Sequence, residues 1–319
     1  MDGLIRARPG LGLAVALLSA AAFGASGPFA KPLLDAGWSP AAAVGVRAGA
    51  AGLVLLPFAL VSLRASAGVL GGSWRRIAAF GLIGVAGCQL CYFAAIERLP
   101  VGVALLIEYL GPVLLVGFTW ATTRARPARS TLIGAAVSTG GLVLVLDLTG
   151  ATHIDLVGVA WALGAAVCLG GFFLISAHQG DDLPPVALAS IGLLVGAVGV
   201  TAVGLVGAVP LTAVGGDVEL LDGTAPWYVP MAVVVLVSSS FAYAAGVYGA
   251  AHLGSRLASF VGLVEVLFAV LLSWVLLDEV PTVVQALGGA LIVVGVLLVR
   301  SGDREVQPLE PLPASEPVR

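Results

Sequence analysis

The chain has 319 residues, 59% of them hydrophobic and only 10% charged, with a mean hydropathy of +1.08 and a formal net charge of −3. A soluble domain carries about 25% charged residues, so an ordinary globular protein surrounded by water is excluded. The small net charge says little, because in so apolar a chain the location of charges matters more than their sum.

A helix needs about 20 apolar residues to cross a ~30 Å hydrocarbon core. Windows of that length predict ten spans: Leu11–Ala30, Pro40–Leu63, Ile77–Ile96, Val101–Ala121, Ser130–Leu146, Leu156–Ala177, Val186–Val209, Trp227–Ala250, Ser255–Leu277 and Thr282–Val299. The first follows Arg6 and Arg8 and contains Ser19-Ala20-Ala21-Ala22, a combination that resembles a signal peptide. Cleaving it would leave nine spans and break the repeat described below. The connections are short and rich in Pro or Gly, as in a compact bundle. After Ser301 the chain turns acidic and carries four prolines, which predicts a disordered tail over 301–319.

Basic residues fix the expected orientation. With the N-terminus cytoplasmic, the inner segments collect Arg6, Arg8, Arg64, Arg75, Arg76, Arg124, Arg126, Arg129, Arg256, Arg300, Arg304 and Arg319. The outer loops hold only Lys31 and Arg98, and Arg47 lies within a span. Both termini are therefore expected inside. The outer loops are acidic, with Asp147, Asp155, Asp217, Glu219, Asp222, Asp278 and Glu279. Fourteen Arg to one Lys, in a background of Ala, Gly and Val, suits a GC-rich bacterial genome and hence a bacterial cytoplasmic membrane.

Two glutamates fall inside spans, where a carboxylate costs roughly 2.5–3.5 kcal/mol on insertion scales. Glu108 opens Glu108-Tyr109-Leu110-Gly111-Pro112-Val113-Leu114-Leu115; Glu265 opens Glu265-Val266-Leu267-Phe268-Ala269-Val270-Leu271-Leu272. The two octapeptides share five of eight residues and start 157 positions apart (265 − 108). Spans one and six also align, Gly12, Ala14, Ala16, Leu17, Ala20 and Gly24 matching Gly158, Ala160, Ala162, Leu163, Ala166 and Gly170. In spans five and ten, Gly134 and Gly141 match Gly288 and Gly295. Five spans per copy is an odd number, so the second copy enters the membrane from the opposite side. The predicted fold is an all-α integral membrane protein of ten transmembrane helices arranged as two inverted five-helix repeats, 1–150 and 151–300. Such repeats place a substrate site near the midplane. Helix rise puts Glu108 about 10–12 Å below the outer face and Glu265 about 15 Å above the inner face, both near the centre of the core.

Arg47 lies roughly 10 Å below the outer face by helix rise. Three roles are open: Arg47 pairs structurally with Glu108, Arg47 receives an anionic substrate group while a glutamate receives a cation, or one glutamate carries a coupling proton. Gly111-Pro112 predicts a kink beside Glu108. Gln89, Tyr92, Trp161, Ser238, Ser239, Ser240 and Tyr243 are the polar or aromatic groups that could line a cavity. Glycines at 45, 49 and 52, at 81, 84 and 87, and at 192, 196 and 199 suit close helix approach. Cys88-Gln89-Leu90-Cys91 has CxxC spacing but lacks other soft ligands and reads as inert. Cys168, the third cysteine, also sits in an apolar stretch, so a disulfide framework is not expected. The three histidines are too scattered for a metal site, and no basic run or aromatic–basic stripe supports nucleic-acid binding.

Leu276 to Gly289, LLDEVPTVVQALGG, resembles the EamA family of the drug/metabolite transporter superfamily, in which each half ends with a Glu after its fourth helix, a Gln, and glycines opening the fifth. Glu279, Gln285 and Gly288 match that pattern; the first half departs from it, with Thr122-Thr123-Arg124 where the acidic residue would lie. Phe23-Gly24 through Lys31 is similar to the end of the family's first helix, and Arg47 to its common Arg in helix two. Leu99 to Pro112 resembles the corresponding stretch of the family's threonine/homoserine exporters, where Glu265 would match the Glu of a Leu-Glu-Pro motif; Val266 stands where that proline is expected.

The resemblance implies a multi-pass carrier of small polar metabolites, most simply an amino-acid exporter working by alternating access, with protons as a possible coupling ion. Site expectations fall on Glu108, Glu265, Arg47, Gln89, Tyr92, Trp161 and Tyr243, with no cofactor and no metal. A passive channel or facilitator is the alternative. A membrane-embedded enzyme would need His, Asp or Ser groups clustered near one face.

Overall fold

The computed structural model describes residues 9–64, 69–111, 128–145, 155–176, 183–220 and 223–302. The helices in chain order are α1 Pro9–Gly24, α2 Ser26–Asp35, α3 Pro40–Leu63, α4 Val69–Ala79, α5 Cys88–Ile96, α6 Val101–Glu108, α7 Arg129–Val145, α8 Leu156–Ser176, α9 Pro185–Leu205, α10 Tyr228–Val235, α11 Ala242–Leu277 and α12 Val283–Gly302. Two π-helical segments, Phe80–Gly87 and Leu236–Phe241, join α4 to α5 and α10 to α11. Six described helices are long and apolar enough to cross a membrane: Leu11–Asp35, Pro40–Leu63, Val69–Ile96, Leu156–Ser176, Pro185–Leu205 and Tyr228–Leu253. Arg129–Leu144, Val264–Leu277 and Val283–Gly295 are shorter apolar helices, and the span expected over 101–121 is described only to Gly111. Outward faces carry bare Leu18, Phe58, Val61, Val167 and Val198. In water so much exposed apolar surface would drive aggregation; against lipid chains it is the stable arrangement.

The first span is broken. Pro28 has no N–H to give the Gly24 carbonyl four residues back, and the chain turns at Ala25 between α1 and α2. α6 stops at Glu108 for the same reason: residue 112, outside the described residues, is a proline without an N–H for the Glu108 carbonyl.

Spans eight and nine are not separated by a break in the helix. Helical backbone continues over the 36 residues of α11, which if straight would measure about 54 Å. It bends back instead. On α1, Gly12 faces His252, Ser19 donates to the Ala242 carbonyl (2.7 Å), and Gly24 faces Glu265 and Phe268. Ser19 and Gly24 are only about 7.5 Å apart along α1, whereas Ala242 and Glu265 would be about 35 Å apart on a straight helix.

Equivalent elements pack crosswise. α1 runs antiparallel to the start of α11, and α8 runs antiparallel to α5 and its π segment, with Gly158 against Leu99, Gly164 against Cys91 and Gly171 against Ile83. In α7 and α12 the matched glycines exchange partners. A Cβ on Gly141 would lie 2.6 Å from the Gly288 carbonyl, and one on Gly295 2.5 Å from the Gly134 carbonyl. That reciprocal contact is what a two-fold relation between the helices produces. The π segments start at Phe80 and Leu236, 156 positions apart (236 − 80), one position from the offset of the two glutamates. The other glycine runs also serve close approach, Gly52 fitting against Leu194, and Gly81 against the Gly192 carbonyl.

The all-α expectation misses one element. β1 Asp217–Leu220 and β2 Gly223–Pro226 form an antiparallel hairpin with Asp217 opposite Pro226 and Leu220 opposite Gly223. Its short strands, DVEL and GTAP, lie in a loop read from the sequence only for charge. The Trp38 indole N–H donates to the Val214 carbonyl (2.7 Å) and fixes this loop to the start of α3. Of the tail expected to be disordered, residues 301 and 302 instead close α12; the rest of it and the Pro112 kink lie outside the described residues.

Candidate functional site

α1, the α5 region, the end of α6, α8 and the bent α11 enclose a cavity of about 60 Å³. By the volume one water occupies, it has room for roughly four or five waters. Its polar wall is Ser19, Gln89, Tyr243 and the carboxylates of Glu108 and Glu265; Phe23, Tyr109, Phe172 and Phe173 supply rings. The rings brace one another, with Phe23 and Phe172 meeting Tyr243 edge to face at 5.0 and 5.8 Å between centroids.

The helix break positions the first carboxylate. Glu108 is the last residue of α6 and is 5% exposed. The Cys88 thiol, at the start of α5, donates to its Oε1 (3.2 Å). Glu265 is half-buried on the returning arm of α11, and the hydroxyl of Tyr109 donates to its Oε2 (2.8 Å). The residue that follows one glutamate therefore holds the other. Gly24 is the reason the arm can come so close: a Cβ there would meet Phe268 at 2.8 Å and the Glu265 carbonyl at 2.9 Å.

Arg47 is 1% exposed and does not reach either carboxylate; its hydrogen bonds go elsewhere. Its Nε donates to Ser239 Oγ (2.9 Å), and its Nη1 donates to Ser26 Oγ (2.6 Å) and Gln89 Oε1 (2.7 Å). Nη2 donates to the Ser238 carbonyl (3.1 Å), and the guanidinium stacks 5.1 Å above the Phe93 ring. Four of the five guanidinium donors are thus committed. The broken first span provides Ser26, and the second π segment provides Ser238 and Ser239. The wide π turns let Ser239 and Ser240 donate to carbonyls five residues back, Val234 and Val235, at 2.7 and 2.9 Å.

Gln89 carries this network to the cavity. Its Oε1 accepts from Arg47 and its Nε2 donates to the Tyr243 hydroxyl (2.9 Å). Because that oxygen accepts, the Tyr243 hydroxyl proton stays available for another acceptor. Of the residues expected at the site, Glu108, Glu265, Gln89 and Tyr243 share the cavity wall, and Arg47 stands behind it. Tyr92 is buried with its hydroxyl over Gly27 and does not line the cavity. Trp161 is 37% exposed and also lies outside it. Trp161 shares a face of α8 with the cavity residue Phe172 but lies about 16 Å from it along the helix axis, at another depth. Sequence reasoning passed over Tyr109 and Ser26, and it read Cys88, now found on Glu108, as inert. Tyr109 sat beside a singled-out glutamate, and Ser26 sat in the Gly-Ala-Ser-Gly run before Pro28.

Two contacts tie down helix ends. Glu279, after α11, accepts the Val101 N–H (3.0 Å) and so caps α6, whose preceding residue, Pro100, offers no side-chain cap. Burial raises the Glu279 carboxyl above its ordinary range, against the opposing pull of that N–H and of Lys31. Asp155 caps α8 through the N–H groups of Val157 and Gly158 and pairs with Arg98 at 3.0 Å. The Gly158 N–H, then Arg98, hold its carboxyl below the usual range.

The family model described as the EamA-like transporter family matches residues 10–147 and again 156–301. The threonine/homoserine exporter RhtA of Escherichia coli (strain K12) is 26% identical over 216 residues, 66% of this chain and 66% of that protein. The uncharacterized transporter YwfM of Bacillus subtilis (strain 168) is 28% identical over 116 residues, 35% of this chain and 39% of that protein. The chain thus spans under two thirds of the length of either relative. A crystal structure matches at a TM-score of 0.58 and 19% identity, covering 92% of this chain and 98% of the other, a likeness of fold.

Proposed function

The chain belongs to the EamA-like transporter family, and on that premise we propose that it is a secondary transporter that exports amino acids or similar small polar metabolites by alternating access. It is a multi-pass membrane protein of a transporter family, with a small molecule as its substrate. The observation that carries the finer reading is the cavity walled by both Glu108 and Glu265, reached by two broken or bent spans. Discontinuous helices meeting at mid-membrane, with ionisable groups facing inward, are how secondary transporters build a site that can open to either side.

In this reading the ten spans form two inverted halves, 1–150 and 151–300, with both termini on the cytoplasmic side of a bacterial inner membrane. The crosswise glycine contacts of α7 with α12 and the matched π segments support the inversion. Glu108 and Glu265 take the substrate's ammonium group, and Glu265, the more exposed of the two, exchanges a proton during the cycle. Gln89 and Tyr243 orient the substrate, and Arg47 acts through them rather than by touching it. The relative named as a threonine/homoserine exporter supports an amino-acid-sized cargo and the outward direction.

Glu265→Gln tests the role. It keeps the acceptor for Tyr109 but cannot ionise. Efflux from cells should be abolished while the amount of protein in the membrane stays normal; unchanged efflux would refute the role.

A further inference from the structure

The charge pattern of the cavity narrows the substrate class, an inference that rests on the transport reading above. Its described wall holds two carboxylates, and its nearest described cation, Arg47, is not part of the wall. Arg47 is also committed to Ser26, Gln89, Ser239 and the Ser238 carbonyl, with Phe93 stacked on the guanidinium. A substrate carboxylate entering here would find like charges and no described cation to pair with it, a costly arrangement at low dielectric. A protonated amine would find the opposite: the acceptor oxygens of two carboxyl groups and the rings of Phe23, Phe172 and Tyr243, whose faces attract cations. Each glutamate has one described side-chain donor, Cys88 or Tyr109, which leaves further acceptor positions free on each carboxylate. Beside them, Tyr243 can donate to a neutral oxygen.

The geometry points to a compact amine cation without a free carboxylate as the preferred ligand: an amino alcohol, or an amino acid whose carboxyl is masked as an amide or ester. Its ammonium lies between Glu108 and Glu265, and its hydroxyl or carbonyl oxygen accepts from Tyr243. A zwitterionic amino acid binds more weakly, and an N-acylated amino acid, which has the carboxylate and lacks the cation, is excluded.

Three probes that share the threonine side chain separate these cases: L-threoninol, L-threonine and the larger N-acetyl-L-threonine. They are titrated calorimetrically at pH 7 into the purified full-length chain in detergent, with counterflow of the same compounds measured in proteoliposomes. Threoninol is expected to bind at least about tenfold more tightly than threonine, because it forms the charge-assisted hydrogen bond to the glutamates without burying an unpaired carboxylate. N-acetylthreonine is expected to show no binding, and Glu265→Gln to weaken threoninol at least about tenfold. Threonine binding as tightly as threoninol, or no binding by any probe, overturns the cation preference. The two readings fail separately. Threonine binding best with active counterflow removes the preference and leaves transport standing. Threoninol binding best without counterflow leaves the preference and removes transport.

Discussion

Replacing Arg47 by lysine keeps the buried charge and removes the fork. The guanidinium spreads four hydrogen bonds over Ser26, Gln89, Ser239 and the Ser238 carbonyl. A lysine ammonium places all its donors on one nitrogen and cannot span those acceptors, so about two are left unpaired. An unpaired buried acceptor costs about 1–3 kcal/mol, giving a loss of about 3 kcal/mol for the pair. At about 2 °C per kcal/mol for a chain of this length, Arg47→Lys should lower the unfolding midpoint by about 6 °C. The assay is thermal unfolding of the purified full-length chain in detergent, followed by size-exclusion recovery. Ligand affinity of the protein that remains folded should change less than its stability, because Arg47 stands behind the wall. An unchanged midpoint with binding abolished would refute this structural role and make Arg47 a direct ligand.

Tyr109→Phe removes the donor to Glu265 and leaves the ring in place, so membrane levels should hold while efflux falls about tenfold, measured in cells. Glu279→Ala uncaps α6 and should cost about 1 kcal/mol in thermal unfolding. Burial raises the Glu279 carboxyl in the folded state, so its contribution to stability is fully present below its unfolded pKa and is lost as pH rises through the folded value. Glu279→Gln cannot ionise and should lose less stability than the wild type over that rise, read from midpoints across the series. Gly141→Leu pushes into the Gly288 carbonyl and should destabilise the α7–α12 pair by about 1–3 kcal/mol, visible as a lower midpoint.

Much of the helical layout was legible, because crossing a bilayer demands length and apolarity that local sequence displays directly. Pro40–Leu63 is found with the predicted boundaries, and Leu156–Ser176 differs at one end by a residue. The interior detail was not. Phe80–Gly87 is as apolar as an α-helix and gives no sign of its wider π turn, which depends on what packs against it. The reversal inside α11, by contrast, follows His252, at the gap predicted after Ala250; only the continuity of helical backbone through it was hidden.

The two glutamates stood out because a carboxylate in a span is costly, and both do face one cavity. Arg47 stood out for the same reason, but its hydrogen-bond acceptors are serines, an amide and a carbonyl from three distant segments. Such ordinary residues carry no sequence signal of their own. Trp161 and Tyr92 were chosen by chemical type, and axial depth and side-chain direction put both outside the cavity.

Counterflow in proteoliposomes, with wild type and Glu265→Gln prepared alike, tests the transport claim most directly. Unlabelled threoninol inside the vesicles should accelerate entry of labelled threoninol for wild type and have no effect for Glu265→Gln. Equal acceleration in both would contradict the role of Glu265, and entry by wild type without any acceleration would mark a passive pore.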